Sequence, residues 1–144
     1  MARSRRGREL MRNSGDVCHI AIGCRTLDQA YDFYVLGLGC KLARRYPDRI
    51  TLDFFGDQLV CHLCQESDLV AIPAFYPRHF GVTFGERSAF ENLIRLIKIR
   101  NLPFFRAPCT RFEGTAEEHL TFALLDPANN VLEFKHYVDP RMMY

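Results

Sequence analysis

The chain has 144 residues, of which 48% are hydrophobic and 25% are charged, a balance typical of one globular domain rather than a fibre or a disordered chain. Its longest apolar stretches are broken by charges well before the roughly 18 residues that a membrane helix needs, which excludes a membrane span. The net charge of +2 comes from an arginine-rich start: residues 13–144 carry 14 Lys and Arg against 16 Asp and Glu, which argues against nucleic-acid binding.

Residues 1–15 are predicted to be a disordered basic arm, because they hold five arginines but neither the apolar segment of a secretion signal nor a periodic pattern. Without a secretion signal, the six cysteines are predicted to be reduced thiols, and we expect a cytoplasmic protein.

Cys61 and Cys64 form a CxxC pair in a predicted strand. Positions i and i+3 of a strand point to opposite faces, so this pair does not predict a zinc site.

From residue 16 onwards the pattern predicts a strand, a helix and three further strands. The first strand is VCHIAIGC (17–24), and the helix is RTLDQAYDFYVLGLG (25–39), with Thr26 as its N-cap. Pro-Asp and Gly-Asp turns separate the next three strands, which are CKLARRY (40–46), RITLDFF (49–55) and QLVCHLC (58–64).

A linker with two prolines (66–77) follows, and the same order of elements then begins again. The second set is HFGVTFG (79–85) as a strand, ERSAFENLIRLIKIRN (86–101) as a helix, and strands that begin with PFFRAP (103–108), HLTFALL (119–125) and VLEFKHYV (131–138). This repeat predicts an α+β fold. Two βαβββ modules (16–65 and 78–139) form one domain (16–139), followed by a short tail (140–144).

Four side chains that can bind a metal occupy corresponding places in the two modules. His79 lies 60 residues after His19, and alignment of LVCHL with NVLEF in the last strands places His62 opposite Glu133. Apolar residues alternate with these four, so all four lie on the face away from the helices. Burying an unpaired carboxylate and imidazoles is costly, and a divalent ion would satisfy them. Two His and one Glu form a facial ligand set that leaves positions open for a substrate.

These features resemble the vicinal oxygen chelate superfamily, which includes glyoxalase I, extradiol dioxygenases, fosfomycin-resistance enzymes and bleomycin-binding proteins. LLDPANNVLEFK (124–135) resembles the turn that leads into the superfamily's ligand Glu, and HIAIGCRTLDQAYDFY and PRHFGVTF look most like a group of small extradiol-type dioxygenases. The resemblance implies a curved mixed sheet around a metal-containing cleft. It also implies that His19, His79 and Glu133 bind a divalent metal, with Fe(II) favoured over Ni, Zn, Mn or Co.

Three functions stay open on this resemblance. The favoured one is an Fe(II) extradiol-type dioxygenase that acts on a small catechol-like substrate. In such an enzyme His62 would move protons, whereas in glyoxalase I the matching position is a fourth metal ligand, usually Glu. The second is a glyoxalase I-like lyase or isomerase using Ni or Zn, in which Arg106 and Arg111 would receive substrate carboxylates. The third is a non-catalytic protein that binds a small molecule.

One residue expected of an extradiol enzyme is missing, because the strand before Glu133 holds no tyrosine. His119 is the candidate for its role in substrate binding. The partners expected are a small-molecule substrate and a second copy in a homodimer, since the superfamily often pairs modules between chains; neither nucleic acid nor a membrane is expected.

Overall fold

The structure, a computed structural model, describes residues 12–144, so the predicted basic arm falls largely outside the described residues. No helix within 12–144 is both long and apolar enough to cross a membrane. The elements are strands β1 (His19–Cys24), β2 (Lys41–Arg45), β3 (Arg49–Phe54), β4 (Asp57–Leu63), β5 (Phe80–Thr83), β6 (Phe104–Arg111), β7 (His119–Leu125) and β8 (Val131–Tyr137), helices α1 (Leu27–Tyr31) and α2 (Arg87–Ile99), a π-helical segment (Asp32–Gly37), and 3₁₀ turns at Glu66–Asp68 and Pro140–Met143.

The predicted tandem βαβββ order is confirmed, with each module forming its own four-stranded sheet. The strand orders are β1-β4-β3-β2 and β5-β8-β7-β6. In each sheet the first and last strands of the module pair in parallel, and the remaining pairs are antiparallel. The repeat therefore extends from element order to sheet topology.

The first predicted helix is confirmed but changes its winding halfway. The Thr26 hydroxyl caps it by accepting a hydrogen bond from the N–H of Gln29 at 3.0 Å. After α1 the chain continues as the π-helical segment, which has a wider turn. Phe33 and Tyr34 are both buried there, with ring centroids 4.9 Å apart. The wider turn accommodates these two adjacent aromatic side chains on the core side.

One hydrophobic core is shared by the two modules. It includes residues from both helices and most of the strand side chains that the alternation assigned to the helix-facing side. Cys18, which the alternation assigns to that side as well, is exposed and lies before β1. The Phe54 ring of the first module lies 5.6 Å from the Phe80 ring and 6.4 Å from the Phe134 ring of the second, centroid to centroid. Both sheets thus turn one face to the same core, and their opposite faces point away from it.

We call these opposite faces the site faces. On the first sheet the site face carries His19, Ala21, Gln58, Val60 and His62, and on the second sheet it carries Thr121, Ala123, Glu133, Lys135 and Tyr137. Along β1, β4, β5 and β8 the alternation of core and site residues is as the sequence predicted.

The start of each module follows the predicted repeat. The N-cap residues Thr26 and Glu86 come at the same interval after His19 and His79, respectively. The 60-residue spacing of the two histidines therefore reflects a structural correspondence.

At the end of each module the predicted alignment is wrong by two residues. Ala21, two residues after His19, pairs with Val60, whereas Gly81, two residues after His79, pairs with Glu133. Val60, and not His62, is therefore the counterpart of Glu133. A shift of two residues leaves each side chain on the same face of a strand, so the hydrophobic pattern cannot detect it.

The loop between β7 and β8 ties the second module to the first. Asp126 Oδ2 accepts hydrogen bonds from the Tyr34 hydroxyl and from Asn130 Nδ2, both at 2.8 Å. Its Oδ1 accepts from the N–H groups of Ala128 and Asn130, and Asn130 Nδ2 also donates to the Gly23 carbonyl at 3.0 Å. Burial raises the pKa of Asp126, and these bonds oppose the rise because they favour the ionised carboxylate.

Replacing Tyr34 with phenylalanine is expected to lower the free energy of unfolding by about 2 kcal/mol at pH 7, because the buried carboxylate of Asp126 loses a donor. Burial raises the pKa of Asp126 in the folded state, which means that ionising this carboxyl costs more free energy in the folded protein than in the unfolded chain. The ionised carboxylate therefore depends more than the neutral acid on the hydrogen bond from the Tyr34 hydroxyl. The loss should shrink as the pH falls through that pKa. Urea unfolding at neutral and acid pH measures both effects. The control Tyr46→Phe changes an exposed ring; an equal loss in both variants would contradict the assignment.

Three of the six cysteines are core residues. Burial raises the pKa of the Cys24 thiol to about 11 and that of Cys40 to about 12, and it also raises the pKa of Cys61. Cys61 lies in β4 and is fully buried, whereas Cys64 lies beyond the strand. At neutral pH the buried thiols are protonated and pack as small apolar side chains.

Candidate functional site

Two of the four predicted ligands, His79 and Glu133, are in direct contact. His79 immediately precedes β5, and Glu133 lies in the parallel neighbour β8. The His79 Nε2 atom is 3.0 Å from Glu133 Oε2, and the side chains are 25% and 9% exposed. Gly81 permits this close approach of the strands, because a Cβ there would overlap the carbonyl oxygen of Glu133. The glycine on the site face is therefore required by packing.

The hydrogen bonds around this pair favour a cation between its members. His79 Nδ1 lies 2.7 Å from the Phe75 carbonyl, which can only accept, so Nδ1 carries a hydrogen. In a neutral imidazole the Nε2 lone pair then faces the carboxylate oxygen, and the two acceptors repel each other. A protonated imidazole or a bound cation removes this repulsion.

A divalent metal fits the pair. An imidazole nitrogen and a carboxylate oxygen are ordinary ligand atoms for such an ion, and these two lie 3.0 Å apart. Thr121 Oγ1 donates to Glu133 Oε1 at 2.8 Å, so both side chains are oriented by neighbours in the way that metal ligands usually are.

His19 has a similar local arrangement in the first module. Its Nδ1 lies 2.5 Å from Gln58 Oε1, the residue directly opposite it in β4. An amide oxygen accepts, so Nδ1 donates and Nε2 keeps its lone pair. His19 is exposed at the start of β1. Both first-strand histidines therefore present Nε2 as a potential ligand atom.

His62 lies on the site face of the first sheet, three strand positions after Leu59, and is exposed. It pairs with Gly23 in β1 and with Arg49 in β3. The register places it two residues beyond the counterpart of Glu133. Its predicted roles, acid and base or fourth ligand, stay predictions.

A single copy does not bring all four predicted ligands together. Within residues 12–144, no three His, Cys, Asp or Glu side chains converge closely enough to hold a metal ion. The core faces of both sheets meet in the shared core, and His19 and the His79–Glu133 pair lie on the two site faces, which belong to different sheets. The structure thus contains a half-site, the His79–Glu133 pair, in the second module and two separate histidines, His19 and His62, on the site face of the first.

The three predicted substrate residues occupy two places. Arg106 pairs with Ala123, the β7 residue directly opposite Glu133, and its guanidinium carbon lies 4.0 Å above the centre of the Phe75 ring. Arg111 pairs with His119, four residues and about 13 Å farther along the sheet. His119 is buried, with its ring 4.9 Å from that of Tyr137. Only Arg106 is therefore close to the His79–Glu133 pair.

Sequence reasoning missed Phe75, which closes over the site from the linker. Phe75 is buried against Ala123 and Val131 on the site face of the second sheet. Its ring lies 4.6 Å from the His79 ring, centroid to centroid. An aromatic residue between the two linker prolines was the available signal, but it has no periodicity from which to assign a contact.

A cavity of about 640 Å³ opens beside His79, between the linker, the start of β5 and the end of β1. Its volume is in the range of pockets that bind small molecules. Its walls include Gly23, Ile72, Tyr76, His79 and Asn130. His79 therefore borders a cavity large enough for a small molecule.

Comparisons with known proteins agree with the fold and the motifs. The sequence profile of the Glyoxalase/Bleomycin resistance protein/Dioxygenase superfamily matches residues 17–134. A solved structure of a glyoxalase/bleomycin resistance protein/dioxygenase from Alicyclobacillus acidocaldarius is 62% identical, with a TM-score of 0.88, and the match covers 93% of this chain and 100% of that one. No curated protein matches the chain.

Two more distant structures share the fold alone. A lactoylglutathione lyase from Agrobacterium tumefaciens is 16% identical, with a TM-score of 0.63 and coverage of 84% of this chain and 92% of that one. A fosfomycin resistance protein from Listeria monocytogenes is 13% identical, with a TM-score of 0.63 and coverage of 88% and 97%. Since the profile spans most of its length, the chain belongs to the glyoxalase/bleomycin resistance protein/dioxygenase superfamily, the vicinal oxygen chelate proteins, as its motifs predicted.

Proposed function

We propose that the protein is a metal-dependent enzyme that acts on a small substrate with two adjacent oxygen atoms. His79 and Glu133 of one copy and His19 of a second copy hold the metal. The observation that carries this proposal is the 3.0 Å approach of His79 Nε2 to Glu133 Oε2, with His79 Nδ1 hydrogen-bonded to a carbonyl. Two histidines and one carboxylate form a facial set that leaves coordination positions open.

The second copy is needed because one chain supplies only the pair. A twofold axis that brings the two different site faces together does so twice, so a homodimer has two equivalent sites. In each, the His79–Glu133 pair of one chain faces His19 of the other. The exposure of His19 and the direction of both site faces away from the shared core support this arrangement.

A bound divalent ion supplies a Lewis acid that polarises the oxygen atoms of the substrate. The protein's own groups hold the geometry. Thr121 orients the Glu133 carboxylate through Oε1, and the Phe75 carbonyl orients the His79 ring through Nδ1. Phe75 also covers part of the site face and excludes water from it. His62, on the opposing site face, takes and returns a proton of the substrate.

The reaction we favour is an Fe(II) extradiol-type ring cleavage of a catechol-like compound. The strand register supports this over a glyoxalase I-like reaction. In the first module the counterpart of Glu133 is Val60, whose side chain cannot bind a metal. A second carboxylate ligand is therefore not available at that position. The three remaining ligands are the set typical of non-haem Fe(II) oxygenases.

Metal analysis of protein purified without added metal, followed by anaerobic loading with Fe(II) and oxygen-uptake assays on a panel of catechols, tests the proposal. We expect about one iron per chain and uptake with at least one catechol, and Glu133→Gln should lose both. Turnover of a hemithioacetal with Ni or Zn and no oxygen uptake would instead support the lyase. Ligand affinity that is unchanged when His79→Ala removes all metal would support a binding protein.

A further inference from the structure

We propose that the substrate of this site carries a carboxylate and that Arg106 binds it. The inference rests on the proposed function only in placing the substrate beside His79 and Glu133. It extends that function by defining a chemical class, small organic acids, and a residue that selects them.

The inference rests on a buried donor of the Arg106 guanidinium that has no acceptor among the described residues. Its Nη1 atom is buried and has no hydrogen-bond partner among residues 12–144. A buried donor without an acceptor is costly, the more so on a charged group, and such donors are rare in folded proteins. The stack on the Phe75 ring at 4.0 Å accounts for the position of the guanidinium plane. It leaves the Nη1 hydrogens without an acceptor.

No carboxylate within residues 12–144 forms an ion pair with this arginine. The ion pairs within the described part of the chain leave Arg106 out, and Glu133, the carboxylate on the same site face, is engaged by His79 and Thr121. Arg111 and Lys135 lie on that face as well. Three cations against one carboxylate make the surface attractive to an anion.

The surroundings of Arg106 favour a carboxylate on an apolar body over a phosphate. A guanidinium offers two parallel N–H groups, which match the two oxygens of a carboxylate. Phe75, Ala123 and Val131 form a buried apolar cluster next to it, so the surroundings of the guanidinium are apolar and supply no further hydrogen-bond donors to an anion. A phosphate dianion needs more donors than this single side chain provides.

Titration of the metal-free protein with benzoate, followed by calorimetry or NMR, tests the inference. We expect benzoate to bind, and benzamide and inorganic phosphate to bind at least about tenfold more weakly. Arg106→Met keeps an unbranched side chain over Phe75 but removes the donors, and should weaken benzoate binding by about tenfold or more. Arg106→Lys should retain part of the affinity, and Arg95→Met, which removes an exposed charge on α2, should retain all of it.

Unchanged benzoate affinity in Arg106→Met would overturn the inference, as would equal binding of benzamide, preference for phosphate, or no binding to the wild type. Thermal melting of each variant separates loss of binding from loss of folding, and Arg106→Lys serves if Arg106→Met does not fold. Because the titration uses metal-free protein, its outcome is independent of the metal site. A protein that binds benzoate but no metal would refute the proposed function alone.

Discussion

His79→Ala is expected to weaken divalent metal binding by at least about 100-fold, because loss of a residue that merely orients a ligand already costs about 10- to 100-fold. The variant leaves Glu133 as the one ligand that this copy contributes to the site. Its fold should persist, since His79 is partly exposed and lies outside the shared core. Metal content after dialysis and competition with a chelator measure the change.

His136→Ala is the matched control. His136 lies in β8, and its Nδ1, like that of His79, bonds a backbone carbonyl, that of Phe84 at 3.0 Å. It has no carboxylate partner among the described ion pairs and is not one of the predicted ligands. Its replacement should leave metal affinity unchanged. Equal losses in the two variants would mean that metal binding depends on general folding and not on the His79–Glu133 pair.

Mixed dimers of two inactive variants are expected to regain metal binding. If His19 of one chain completes the site of the other, His19→Ala and His79→Ala each destroy both sites of their own homodimer. A mixed dimer restores one intact site, which combines His79 and Glu133 of one chain with His19 of its partner. Joint refolding of equal amounts should therefore restore about a quarter of the sites, because half of the dimers are mixed and each has one intact site of two.

A second mixture provides the control for this experiment. His79→Ala and Glu133→Gln alter the same half-site, so every site in their mixed dimers lacks one ligand. This mixture should regain no metal. A site shared between two copies predicts that metal binding recovers only when the two altered residues belong to different half-sites. Recovery of metal binding in both mixtures, or in neither, would therefore contradict it.

The sequence predicted those features that depend on local pattern. Strand alternation assigned His19 and His79 to the face away from the helices, and turn residues separated the strands. The pairing of His79 with Glu133 followed from their common face in one module. Each of these inferences uses residues close in sequence or repeated at a fixed distance, where alternation and turn chemistry decide the structure.

The missed features depend on packing between distant segments. The counterpart of Glu133 is set by the parallel register of the first and last strands of each module, which makes it Val60 instead of His62 without changing the face. The position of Phe75 depends on how an irregular linker folds back. Within residues 12–144, His19 does not join His79 and Glu133 in one cluster, and this depends on how the two modules pack, which no strand or helix pattern encodes.

The shared core also limits how the two repeats can diverge over evolutionary time. A side chain of different size at Phe54 would alter the packing of Phe80 and Phe134 in the other repeat. Core residues of the two repeats must therefore change together. The site faces take no part in this core packing. One repeat can therefore hold Val60 where the other holds Glu133, and a duplicated unit can acquire two different halves of one chemical site while its framework stays nearly symmetric.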